Sequence, residues 1–111
     1  MALFTVAGLT ISAPFVQATE PSRQMEEFLN FDRKNQDGFI SNSMLMLGVI
    51  AAQTEPKIAQ CLNEWYQGSD TIKIKRHDEI LDAMQDLPQY VPTTIVLAVA
   101  ERACGKFKRK E

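Results

Sequence analysis

Histidine is almost absent from the chain: His77 is the only one among 111 residues. A catalytic triad or a conventional zinc site would have to be built on that one imidazole, and no serine, cysteine or second histidine lies beside it in sequence. His77 therefore reads as a satisfied or solvent-facing residue at a helix start. Cysteine is nearly as scarce. Cys61 and Cys104 are the only two, and pairing them leaves no thiol for a metal or a nucleophile. Charge of one sign is lacking as well: a formal net charge of -2 provides no electrostatic footprint for nucleic acid. No nucleophile–base pair, metal set or cofactor motif can be assembled, so an enzyme is the least expected class and no cofactor is implied. Long apolar runs are missing too. The longest uncharged opening stretch, residues 1–18, is interrupted by Gly8 and Pro14 and is short of the ~20 residues that span a bilayer.

A hydrophobic fraction of 45% and a mean hydropathy of -0.18 belong to a globular chain, and the length suits one domain. Residues 1–18 end in Val16-Gln17-Ala18, a small-x-small pattern followed at once by polar sequence, which is what signal peptidase requires. They are expected to be a cleaved secretory signal, with an uncleaved anchor or a buried segment as alternatives. Residues 19–111 are then a single helical domain, periplasmic or secreted, with no stable membrane insertion after cleavage. Lys106, Lys108, Arg109 and Lys110 crowd its end; such a basic tail complements the negative end of a helix or docks on an acidic partner.

Two stretches organise the domain. In PTTIVLAVAERACGKF, Val96, Val99, Ala100, Ala103, Cys104 and Phe107 share one stripe at helical period. In PKIAQCLNEWY, Ile58, Cys61, Leu62 and Trp65 do the same. Each cysteine thus lies on the inward stripe of a helix, and export to an oxidising compartment makes a Cys61–Cys104 bond the expected state. Without export they would be two buried thiols. A loop of this length implies about 4 kcal/mol of stabilisation from restricting the unfolded chain.

The remaining segments fill in an all-α bundle of four or five helices. Ser22 opens a first helix of about ten residues containing Met25, Phe28 and Leu29 and ending near Phe31. FDRKNQDGFIS, Phe31 to Ser41, superficially has the oxygens of an EF-hand loop in Asp32, Asn35 and Asp37. The spacing fails, because Gly38 as the turn glycine puts Arg33 first, and Asp32 as the first ligand puts Met44 twelfth. A polar interhelix turn pivoting on Asp37-Gly38 is expected instead, and no metal. Ser41, Asn42 or Ser43 then caps MLMLGVIAA, a run too apolar to be amphipathic. It reads as a central helix surrounded by the others, with Gly48 admitting a close neighbour. Pro56 starts the next helix and Gly68 ends it. SDTIKIK alternates isoleucine with lysine and is expected to be a short extended piece. RHDEILDAMQDL follows, a helix whose stripe is His77, Ile80, Leu81 and Met84, with Asp78, Glu79, Asp82 and Asp86 on its wet face, closed by Pro88.

Taken in order, these parts resemble the Rap/Tai type of type VI secretion immunity proteins. The residues that carry the likeness are Leu47-Gly48-Val49-Ile50-Ala51, Cys61, Ile80-Leu81 with Pro88, and Val96-x-x-Val99-Ala100 with Cys104. The chain departs from that pattern in lacking early cysteines and in having Leu-Asn-Glu-Trp-Tyr rather than Ile-Pro after Cys61. The resemblance implies an exported periplasmic protein, a homodimer in some cases, that binds and blocks a cell-wall-degrading effector delivered by neighbouring cells. A second likeness, limited to MEEFLNFD and the two-cysteine helical plan, is to the Hde acid-stress chaperones of the periplasm. The expected function is occlusion of a protein effector, with Asp32, Asn35, Asp37, Asp70, Asp78 and Asp82 as candidate partner-binding residues. The alternatives are an acid chaperone and a weak calcium module.

Overall fold

A computed structural model describes residues 20–107; the expected signal at 1–18 and the tail residues Lys108, Arg109 and Lys110 lie outside the described residues. Five helices follow one another, α1 (Arg23–Leu29), α2 (Arg33–Thr54), α3 (Pro56–Tyr66), α4 (Asp70–Asp86) and α5 (Pro92–Cys104), and no strand occurs among the described residues. The all-α bundle closed by a single disulfide is therefore the observed architecture. Cys61 and Cys104 are bonded, with their Cα atoms 5.6 Å apart.

Each helix begins where a short polar side chain or a proline can serve the unpaired N–H groups. Ser22 Oγ accepts from the Met25 N–H at 3.1 Å and Ser69 Oγ from the Ile72 N–H at 3.2 Å, while α3 and α5 open on Pro56 and Pro92, where a missing N–H costs nothing. α1 stops at Leu29, two residues short of expectation, because the chain turns at Asn30. Gln36, buried inside α2, then donates its amide to the Phe28 and Leu29 carbonyls at 3.1 and 3.4 Å, so that the orphan end of α1 is satisfied by the next helix.

Three expectations fail, for identifiable reasons. The polar stretch after Phe31 is not an interhelix turn. Asp32 Oδ1 accepts the Asn35 N–H at 2.8 Å, and the helix runs without a break from Arg33 through Asp37-Gly38 to Thr54. A side-chain cap in the right place outweighs the turn propensity of Asp-Gly. SDTIKIK is not extended either, since Ser69 caps it into the first turns of α4. Finally, MLMLGVIAA is not surrounded. Only Met44 and Ala51 of that run are buried, on a narrow stripe with Gln36 and Ile40, while Leu45 and Met46 are 63% and 61% exposed. A Cβ at Gly48 would meet nothing within 4 Å, so no neighbour needs that glycine. The cap gives a direct check: Asp32→Ala is expected to cost about 1 kcal/mol in urea unfolding, whereas a helix starting at residues 41–43 would predict no loss.

The core is built from one stripe of each helix: Met25, Ile40, Ile80 and Met84 are fully buried, with Phe28, Leu62, Ile95, Val96 and Ala100 beside them. α5 packs against all four other helices, and α2 lies most extensively along α3. The predicted α5 stripe is observed at Val96 and Ala100, with Val99, Cys104 and Phe107 half-buried, Ala103 outward and Ile95 added on the inner side. Gly105, at φ 104°, ends the helix in a conformation that a side chain would resist. The Ser22 N–H donates to the Pro88 carbonyl at 2.8 Å, tying the start of α1 to the α4–α5 connection.

Candidate functional site

Two features stand out on this frame, one apolar and outside, the other polar and inside. The apolar one is the outward face of α2. No residue from Gly38 to Thr54 is charged, and Leu45, Met46, Val49 and Ile50 are all exposed. At helical spacing Leu45, Val49 and Ala52 form one row and Met46 with Ile50 the adjacent row, making a continuous apolar surface. Along its α3 edge runs a groove between Met44, Gly48 and Val49 on one side and Ala59, Leu62 and Asn63 on the other, with Tyr66 at its end. The space above Gly48 is part of this groove. Exposed Asn35 and Asn42 continue the outer stripe toward the capping Asp32, so α2 presents an apolar C-terminal half and a polar N-terminal half on one side.

The polar feature joins α2, α3 and α4. His77, 6% exposed, lies between Tyr66 and Asp37: Nε2 is 2.6 Å from the Tyr66 hydroxyl and Nδ1 is 2.8 Å from Asp37 Oδ1. Tyr66 Oη is in turn 3.2 Å from Ser41 Oγ. Arg33 donates from Nε to the same Asp37 oxygen and from a terminal nitrogen to Asp78, each at 2.8 Å. An ionised carboxylate can only accept, so Nδ1 of His77 carries a proton. Partial burial works against charge on Asp37, but hydrogen bonds from Arg33 and His77 outweigh it and hold the carboxyl below the ordinary carboxylate range. Burial pushes the Tyr66 phenol up, against the pull of Ser41, and Asp37 and Asp78 raise the Arg33 guanidinium. A tyrosine so placed stays neutral and ties α3 to α2 and α4 through Ser41 and His77. A second tie lies next to it, where Arg76 donates to the Trp65 carbonyl at 2.8 Å and stacks 4.8 Å from the Trp65 ring centroid.

The residues singled out from sequence are not gathered in one place. Asp32 and Asn35 are exposed at the start of α2, where the Asp32 carboxylate serves as cap. Asp37 is half-buried in the His77 network. Asp78 pairs with Arg33 and, with Asp82, lines a polar cleft between α1, α2 and α4 that also contains Gln36 and Gln85. Asp70 sits at the far end of α4, two turns from Asp78. The EF-hand-like oxygens are spread along a helical turn, and among the described residues no three His, Cys, Asp or Glu side chains converge as a metal set. No helix among them is long and apolar enough to cross a membrane. Sequence reasoning missed the Ser41–Tyr66–His77–Asp37 chain because its members come from three helices; the one available signal was a lone histidine at a position whose helical neighbours, Ile80, Leu81 and Met84, are core.

These elements define a disulfide-closed, all-α protein with an uncharged apolar helix face and a buried polar tie. Comparison with family models, with curated proteins and with solved structures finds no match for this chain.

Proposed function

We propose that this chain is an exported, periplasmic binding protein that acts by occlusion rather than by chemistry. Its binding surface is the outer face of α2 with the groove beside α3, and its partner is a protein effector of the kind that immunity proteins neutralise. The observation that carries the reading is the set Leu45, Met46, Val49 and Ile50, four large apolar side chains exposed in a single charge-free stretch. Burying such side chains gains about 1.5–3 kcal/mol each, and a monomer that leaves them in water forgoes that gain. The polar N-terminal half of α2, with Asp32 and Asn35, supplies the rim that interfaces place around an apolar centre. The disulfide suits the oxidising compartment in which cell-wall-directed effectors act.

Co-expression with the product of each adjacent reading frame, followed by size-exclusion chromatography and calorimetry, tests this reading. A stoichiometric complex is expected, and Val49→Asp should weaken it by about 30-fold or more while leaving the fold intact, since Val49 is half exposed. A complex indifferent to Val49→Asp would place the surface elsewhere. No complex with any of these products, nor with the chain itself, would remove the reading.

A further inference from the structure

We propose that Arg33, Asp37, His77, Tyr66 and Ser41 form a proton-tolerant latch, in which Asp37 keeps α2 closed on α3 and α4 when His77 becomes charged. The latch rests on its own contacts and needs no bound partner.

The direction of each hydrogen bond follows from the two states of the imidazole. In neutral His77, Nδ1–H donates to Asp37, Nε2 accepts from the Tyr66 hydroxyl, and the Tyr66 oxygen accepts from Ser41. When His77 gains a proton, Nε2–H donates to the Tyr66 oxygen and the phenolic proton turns to Ser41 Oγ. Two hydroxyl hydrogens rotate, no heavy atom moves, and every buried polar atom keeps a partner. Charge balance favours the same conclusion. Arg33, Asp37, Asp78 and protonated His77 carry two positive and two negative charges, connected by contacts of 2.8 Å.

Among the described residues no other carboxylate is hydrogen-bonded or ion-paired to His77. α3 contributes Tyr66 only. On α4 itself, Lys73 lies 6.0 Å from the Tyr66 ring centroid and adds positive charge, while Arg76 is turned to Trp65 and Glu79 and Asp78 to Arg33. Among the described hydrogen bonds and ion pairs, none to His77 comes from α1 or α5. Asp37 is thus, among the described residues, the one carboxylate bonded to the imidazole, whose side chain is 7% exposed. A buried cation that loses its counter-ion is strongly destabilising.

The sign of the pH dependence follows. Asp37 has a lowered folded pKa, so its contribution is complete above the ordinary value of about 3.9 and is lost as pH falls through the folded one. The wild type should therefore keep its melting temperature from pH 8 to pH 5 and lose it only below about pH 4. Asp37→Asn keeps an oxygen for His77 and Arg33 but removes the charge. Its melting temperature should fall by about 10 °C or more between pH 8 and pH 5. Asp37→Asn combined with His77→Gln should be flat again over that interval.

An Asp37→Asn profile parallel to the wild type, merely offset, would overturn the proposal, as would a double variant that still falls. If Asp37→Asn does not fold, the wild type decides the matter. His77 is the sole histidine, so its imidazole resonances are unambiguous in NMR. Those resonances and the dispersed methyl signals should both stay those of the folded chain from pH 8 to pH 5, and a collapse of the methyl dispersion over that interval would rule the latch out.

Discussion

Replacing Cys61 and Cys104 by serine, or reducing their bond, is expected to lower the melting temperature by about 15–30 °C. The bond joins residues 43 apart, and restricting an unfolded loop of that size is worth about 4 kcal/mol. For a domain of this length each kcal/mol moves the midpoint by about 4–8 °C, and a total stability of about 5–15 kcal/mol leaves little margin once that contribution is gone. The magnitude follows from where the bond sits. α5 packs on every other helix, and Cys104 is its last residue before Gly105 ends it, so the bond fixes the far end of the element that all the others share. Thermal melts followed by circular dichroism with and without dithiothreitol, with mass spectrometry to confirm reduction, measure the effect. A midpoint shifted by less than about 5 °C would show that packing alone positions α5.

Ile80→Ala is expected to cost about 3 kcal/mol, within the range for removing a buried aliphatic side chain and leaving a void, whereas Ile74→Ala should change stability by less than about 0.5 kcal/mol. Both isoleucines belong to α4, but Ile80 is 0% and Ile74 59% exposed. The comparison tests the structure at a place where sequence reasoning went astray. If SDTIKIK were an extended piece lying over the core edge, Ile74 would have a covered surface to lose and its truncation would be felt. Urea denaturation of the two variants separates the alternatives, and equal losses would contradict a single helix from Asp70 to Asp86.

Local patterns told correctly which helices are amphipathic and how the cysteines pair. Ile58 and Leu62 on α3, and Val96 and Ala100 on α5, follow a helical period strong enough to be read without tertiary information, and they are buried as that period requires. Asp32 and Ser69 are where local reading failed. Each is a single capping side chain whose effect is to start a helix through polar residues that resemble a turn or a strand edge, and composition averaged over a window hides a contribution of about 1 kcal/mol made by one atom. The run MLMLGVIAA misled for the opposite reason. Nine apolar residues suggest complete burial, but the helix buries only the stripe that reaches α3 and α5, and the exposed remainder is the candidate binding surface. His77 could be placed on the stripe of Ile80, Leu81 and Met84; its partners Asp37, Tyr66 and Ser41 could not, because α2 and α3 come together on α4 only through tertiary packing. The aspartates named as partner-binding candidates were chosen by charge, and charge alone does not distinguish a cap such as Asp32 from an ion-pair partner such as Asp78.

The disulfide also divides the chain into two unequal kinds of structure. It closes a covalent ring from residue 61 to residue 104 that takes in α4, α5 and the second half of α3. α1 and α2 are an arm outside that ring, joined to it through the first half of α3 after a break at Glu55, where the backbone leaves helical geometry at φ -142° and ψ 81°. The arm carries the exposed apolar face and is fastened to the ring by side chains, among them Asp37, Ser41 and Arg33, and by the hydrogen bond from the Ser22 N–H to the Pro88 carbonyl. Contacts made along the arm therefore pull against noncovalent fastenings, while the ring keeps its topology whether or not the arm lets go.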